Sequence, residues 1–205
     1  MTGLTIALDA DSVVLDYSTA YGRAWADAFG DHPVEKDPLA YWPLHRWGVK
    51  RLAGAELARF RASFHEEFWS SIPAIDGAVE ACHRLHDVGH ELACVSAVEA
   101  SFERARLRNL RELGFPIERV IATGSTGAAL SPKTEALQTI QPVAFVDDFL
   151  PNFRGLPAGK HKALVIRQPN GSPNVGAELS IVDSQHADLD AFATWWLSAR
   201  RADHE

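Results

Sequence analysis

The chain is poor in sulfur: its 205 residues include two cysteines, Cys82 and Cys94, and one methionine. Two thiols are too few for a secreted disulfide framework. Cys94 lies inside the apolar run ELACVSA and Cys82 on the apolar side of a helical pattern, so both are expected to be buried and inert rather than a redox pair. Positive charge is not in excess either. Twenty Lys and Arg stand against 27 Asp and Glu, a net charge of −7 with no run of like charges, which argues against a nucleic-acid polymer as partner. No apolar run approaches the roughly 20 residues that a membrane span needs. The opening MTGLTIALDAD lacks a basic stretch leading into a long apolar core, so neither a signal peptide nor a membrane is expected, and the cytoplasm is the expected location. With 46% hydrophobic and 23% charged residues, the composition is that of an ordinary globular domain, long enough to bury a core without disulfides or a structural metal.

What is present is an alternation. Short β-rich runs fall at Leu4 to Leu8, Glu91 to Ser96, Arg119 to Thr123, Val143 to Asp147, Ala163 to Ile166 and Leu179 to Val182, with helix-patterned segments between the first four beyond residue 73. Such alternation predicts an α/β domain, a Rossmann-like three-layer core with a mainly parallel sheet. One unit is especially clean: Asp76 and Gly77 open a helix whose Val79, Cys82 and Leu85 share a face, Gly89 stops it, and ELACVSA follows as a strand. The next helix carries Phe102, Ala105 and Leu110 and ends at Gly114 and Pro116, and a last one runs from Leu189 to about Arg201. Residues 15–73 differ, with helical patterns around Thr19 to Phe29 and Ala55 to Trp69 and no convincing β-run. They read as a helical module inserted into a core formed by residues 1–14 and 74–205.

The first apolar strand ends in Asp9-Ala10-Asp11-Ser12-Val13, and residues two apart on an extended segment project to one side, so both carboxylates face one crevice. Two like charges held that close require a cation. A second pair, Asp147-Asp148, follows the apolar run VAFV in the same sense. If the two strands are parallel neighbours, three or four carboxylates converge at their carboxyl ends, an oxygen-rich site suited to Mg²⁺. Ser96, at the end of another strand, offers a hydroxyl and the backbone N–H groups that follow it, beginning at Ala97. Lys133 opens a helical pattern after Pro132. Together these groups suit the oxygens of a phosphoryl group. In that reading Asp9 is the nucleophile of an aspartyl-phosphate pathway, and Asp11 protonates the leaving oxygen and later takes a proton from water.

DADSV at a first strand, Ser96 after a second, Lys133 before a helix and FVDD at a fourth strand resemble, in this order, the four motifs of the haloacid dehalogenase (HAD) superfamily. The resemblance spans residues 4 to about 152, and the helical insertion stands where that superfamily carries its small cap. It implies a Mg²⁺-dependent phosphatase acting on a small phosphorylated substrate, as a monomer or homodimer. Asp9 and Asp147 would bind the metal through side chains, Asp11 through its carbonyl, and Asp148 from the outer shell. Superfamily dehalogenases lack an acid at the place of Asp11, because carbon–halogen displacement needs no protonated leaving group. A phosphosugar mutase, which uses the same two carboxylates, and a non-catalytic binding protein on the same fold stay open. Two positions depart from the pattern: Ser12 replaces a glycine found in many members, and Val13 stands where others have Thr.

The middle of the insertion, DPLAYWPLHRWGVKRL, sets Tyr41, Trp42 and Trp47 among His45, Arg46, Lys50 and Arg51. These residues either line a substrate pocket, stacking on a ring while the cations attract phosphate, or form the insertion's own core. The phrase IPAIDGAVEACHRLHDVG is also similar to the 5'-nucleotidase branch of the superfamily, which implies a nucleoside monophosphate. His83, His86 and His90 invite a zinc reading, but Gly89 breaks the helix between the last two and no further ligand completes the set. Surface or interface histidines are expected.

Overall fold

The computed structural model describes residues 3–124, 131–156 and 158–202. Six strands form one sheet: β1 (Thr5–Leu8), β2 (Glu91–Ser96), β3 (Arg119–Ala122), β4 (Ala144–Asp147), β5 (His161–Val165) and β6 (Ser184–His186). The order is β3-β2-β1-β4-β5-β6 and every neighbouring pair is parallel, so the α/β fold expected from the alternation is present.

Side chains alternate across this sheet as a period of two requires. Ile6, Leu8, Cys94, Val146 and Val165 enter one buried cluster, while Ala7, Val95, Phe145 and Leu164 enter another on the opposite face. The first face is covered by α5 (Ala78–Asp87) and α8 (Leu189–Ala202), through Ala81, Cys82, Leu85, Phe192 and Trp196, and by Leu110 of α6 (Glu103–Glu112). The second face is covered by Leu137 of α7 (Thr134–Ile140) and by Leu150 and Phe153 of a 3₁₀ turn after β4. Cys82 and Cys94 are free and buried in the first cluster, and burial pushes the Cys94 thiol up to about 12, as expected of inert thiols.

Residues between β1 and α5 form four helices and no strand: α1 (Tyr17–Phe29), α2 (Pro43–Arg46), α3 (Gly54–Ala62) and α4 (Glu66–Ser70). Asp16 caps α1 by accepting from the Thr19 N–H at 3.0 Å. Ala20, Ala24 and Ala28 of α1, with Phe60 and Phe68, lie in the same cluster as Ile6 and Leu8, so the inserted helices share the core of the sheet's first face. The single helical pattern from Ala55 to Trp69 is two helices in fact. After α3, the Ser63 and Phe64 N–H groups turn back three residues to the Phe60 and Arg61 carbonyls, which ends the helix and seats Phe64 against Phe60 and Phe68.

The last expected strand is misplaced. Leu179 lies in a 3₁₀ turn, Ala177–Ile181, and the sixth strand is the polar Ser184–His186. Leu179, Ile181 and Val182 are apolar because they pack onto the second cluster, whereas β6 pairs with β5 through its backbone. Expected β5 also shifts, beginning at His161 and ending at Val165. The three histidines part company: His83 bonds the Gly114 carbonyl, His86 is exposed, and His90 is buried against the Leu4 carbonyl and the Trp196 indole, not on the surface. Among the described residues no helix is long and apolar enough to cross a membrane.

Candidate active site

The strand order reverses direction about β1 and β4, and at such a switch point the connections leaving the carboxyl ends diverge and open a crevice. Asp9 follows β1 directly, with its N–H bonded to the Val146 carbonyl of β4 at 2.8 Å, and Asp147 is the last residue of β4. The two acids are therefore brought together by sheet register. Between them stands Lys133, from the turn before α7, its Nζ 2.5 Å from Asp9 Oδ1 and 2.6 Å from Asp147 Oδ2. Lys133 and Asp147 have no solvent exposure, so this pairing decides whether they can be charged at all.

Burial by itself would lower the lysine's proton affinity, but Asp147 and Asp9 raise it further, and the ammonium stays protonated. Asp147 is driven by burial up to about 6, opposed by Lys133. Its oxygens also accept from the Phe149 N–H at 2.8 Å and from the Asn152 amide at 3.0 Å each. Asp148 is held well above the usual carboxylate range by burial and by its neighbours Asp147 and Asp9.

A cavity of about 210 Å³ opens above these groups, walled by Asp9, Asp11, Ser12, Ala97, Lys133, Asp148 and Asn152 from the core. The insertion contributes Tyr17, Ser18, Tyr41, Trp42 and Pro43. Asp11 is held from behind by Arg106 of α6, whose Nη2 lies 2.9 and 3.0 Å from its two oxygens. Burial raises the Asp11 carboxyl, with Arg106 opposing and Asp9 adding to the rise. Ser12 adopts φ = 65°, the left-handed conformation glycine enters without cost, which explains why a glycine is expected there. Ser96, at the end of β2, is fully buried, and its hydroxyl finds no partner among the described residues. Its carbonyl holds the Thr123 N–H at 2.9 Å.

The seven residues singled out in the insertion do not converge: of them, Tyr41 and Trp42 line the cavity. Trp42 lines the cavity and is 44% exposed, crossed edge-on by Tyr41 at 4.9 Å. Trp47 is buried instead: its indole N–H donates to the Ser18 carbonyl at 2.7 Å and its ring lies where a Cβ on Gly22 would stand 2.8 Å away, so α1 carries glycine there. It is core of the insertion and presents no face to a ligand. Lys50 is paired with Glu56 at 2.6 Å in solvent, and His45 is exposed; neither lines the cavity.

Tyr41, one of the residues singled out in the insertion, lines the cavity beside Asp148, and burial and that carboxylate push its phenol up. Its strand-like segment is strapped to the loop after β5, where the Tyr41 N–H donates to the Asn170 carbonyl and the Asn170 N–H to the Leu39 carbonyl. Asn152 and Asn174 order the loop after β4, the latter donating to the Asp148 carbonyl at 2.6 Å. Asn152, Asn174 and Arg106 were not singled out from the sequence; of these Arg106 alone left a signal, as a charged residue four places from both Phe102 and Leu110 on an apolar helix face.

Asp9, Asp147 and Asp148 each present an oxygen within 4.8 Å of the others, a hard-donor set that fits Mg²⁺. The arrangement thus joins a carboxylate at the cavity floor, a fixed ammonium beside it, a divalent-cation donor set and a second acid on the wall.

No protein-family model matches the sequence, and no curated protein does. Solved structures do. A HAD family hydrolase from Deinococcus radiodurans R1, described with bound phosphate and sodium, superposes with a TM-score of 0.65 at 17% identity, over 97% of this chain and 96% of that one. A predicted phosphatase from Clostridium acetobutylicum gives 0.62 at 14% identity, over 96% and 99%. An L-2-haloacid dehalogenase gives 0.55 at 15% identity, over 95% and 99%. The chain therefore has the fold of the HAD-type hydrolases, a fold on which different chemistries are built.

Proposed function

We propose that the protein is a cytoplasmic, Mg²⁺-dependent phosphohydrolase of the HAD type, acting on a small phosphate monoester through an aspartyl-phosphate. The observation that carries this reading is the meeting of Asp9, Lys133 and Asp147 at the carboxyl ends of β1 and β4 with Asp11 on the wall of the same cavity. The phosphate bound in the Deinococcus hydrolase adds support from a protein of the same fold.

Asp9 presents the nucleophilic oxygen. As its bond to phosphorus forms and the ester P–O bond breaks, Asp11 gives a proton to the departing oxygen. Water then attacks phosphorus, returns a proton to Asp11 and releases phosphate from Asp9. Lys133 fixes Asp9 and offers positive charge to the phosphoryl oxygens, and Ala97 lines the cavity, while Ser96 beside it is buried and does not line it. Asp9, Asp147 and Asp148, with the Asp11 carbonyl, would hold Mg²⁺, which supplies charge neutralisation for the anionic substrate.

Dehalogenases share the fold, but halide displacement needs no acid at the place of Asp11, and here that acid is present and oriented. Trp42 lines the same cavity, which suits a substrate whose alcohol bears a ring, a nucleoside monophosphate among them. The test is phosphate release, with and without Mg²⁺, across nucleotides, phosphosugars and small esters. Release from some of these that depends on metal and on Asp9 supports the reading. Interconversion of phosphosugars without release would make the protein a mutase, and inactivity throughout would favour a binding protein.

A further inference from the structure

Arg106 has no solvent exposure at all, yet only one of its three nitrogens is satisfied. Its Nη2 straddles the two oxygens of Asp11, while Nε and Nη1 are buried without an acceptor among the described residues. The guanidinium rests on the Trp69 ring, 5.1 Å from its centroid. Asn109, one turn further along α6, is also buried, its amide donating to the Ile72 carbonyl at 3.0 Å. The Asp11 side chain is 30% exposed, so the enclosed guanidinium bears its full desolvation for a carboxylate that water still reaches, a poor source of stability. Two unsatisfied N–H-bearing nitrogens make the arrangement poorer still. What Arg106 does achieve is geometric: the single carboxylate it grips lines the cavity, and the guanidinium is itself enclosed and backed by the Trp69 ring.

We propose that Arg106 is the positioning residue of Asp11, holding that carboxylate on the cavity wall in the one orientation from which it exchanges a proton with the leaving oxygen and with water. This rests on the phosphohydrolase reading. Arg106 itself lies behind Asp11, does not line the cavity and touches no substrate. Loss of the grip lets the acid rotate, and misplacement by an ångström is enough to cost about 100-fold in rate. The loss falls on the step that needs the proton, so it depends on the leaving group.

The experiment compares Arg106→Met, Arg106→Lys, Asp11→Asn and the Arg106→Met/Asp11→Asn pair with the wild type on an alkyl phosphate and on p-nitrophenyl phosphate, with Mg²⁺ present. Arg106→Met should lower kcat on the alkyl ester about 100-fold and on the aryl ester at least about tenfold less, since an activated leaving group needs little protonation. Arg106→Lys should recover part of the loss, and the double variant should be no slower than Asp11→Asn alone. Equal losses on the two esters, or independent losses in the double variant, would overturn the proposal. The Lys variant carries the comparison should the Met variant not fold. If the wild type hydrolyses neither these esters nor the wider panel, the phosphohydrolase reading fails by itself. The grip is then judged by the ¹⁵N resonances of the Arg106 guanidinium, which should be protected in the wild type and shift or broaden in Asp11→Asn. Resonances indifferent to that substitution would overturn it.

Discussion

Lys133 Nζ lies 2.5 Å from Asp9 Oδ1, with the lysine side chain fully enclosed and the carboxylate at the cavity floor. A nucleophile so close to a fixed ammonium is oriented before any substrate arrives, and its partner Asp147 completes a buried triad that no single member can leave without consequence. Removing one partner of a buried pair strands the others, at about 3–5 kcal/mol.

Lys133→Met should therefore lower stability by about 3–5 kcal/mol and abolish turnover, and excess Mg²⁺ should not restore activity, because the organising charge is gone. Asp147→Asn, which removes an anionic metal donor while the Asn152 amide and Phe149 N–H remain nearby, should weaken Mg²⁺ binding and be partly rescued by high metal. Metal titrations of activity in the two variants make the comparison. Rescue of the lysine variant and not the aspartate one would reverse the assignments.

The two tryptophans should separate cleanly. Trp47→Ala removes a buried ring and the indole bond to the Ser18 carbonyl, and should cost about 3–5 kcal/mol of stability in denaturant unfolding. Trp42→Ala should unfold almost as the wild type does, and raise KM for a ring-bearing ester more than for a small aliphatic one. Equal KM changes on both esters would remove Trp42 from the substrate's surroundings.

A pH dependence follows from the edge of the sheet. His161 and His186 both bond the Ser184 hydroxyl at 2.8 Å and pack against Trp195, and burial lowers the pKa of each. Above the unfolded pKa of about 6.5 both states are neutral and the contribution of the pair to stability is complete. As pH falls from there toward the folded values, the unfolded chain takes up protons that the folded chain resists, and stability declines. Melting temperatures between pH 8 and 5 should fall less steeply in a His161→Gln/His186→Gln variant than in the wild type. An identical slope would mean the pair titrates alike in both states.

The parts of this molecule readable in the sequence are those whose signal is local. β1, β2 and β4 are buried on both faces and so are continuous apolar runs, and Asp9, Asp11, Ser96 and Asp147 are recognisable because they stand at the ends of those runs. β6 is unreadable because an edge strand of Ser, Gln and His is made by backbone pairing to β5, while the apolar Leu179 to Val182 run beside it serves packing. The same division holds at the site. Trp42 and Trp47 are alike in sequence, and only the approach of α1 at Gly22 decides that one is core and the other cavity wall. Arg106 and Tyr41 reach the site through tertiary folding, from 95 residues after Asp11 in the first case.

Asp9→Asn should keep the fold, as read by near-ultraviolet circular dichroism, and lose at least about 10³-fold in phosphate release, since an amide is almost the same shape but neither nucleophile nor anionic ligand. Phosphate release at the wild-type rate by a verified variant would be incompatible with nucleophilic catalysis by Asp9.

Nucleophilic catalysis by Asp9 requires that phosphorus become bonded to it, and mass analysis of the protein quenched in acid during turnover of a phosphate ester with Mg²⁺ reads that bond. A fraction of chains should be heavier by one phosphoryl group, with the added mass on the peptide containing Asp9 and absent from Asp9→Asn. Rapid turnover with no phosphorylated chain at any quench time, or a phosphoryl group found on another residue, would contradict that role of Asp9.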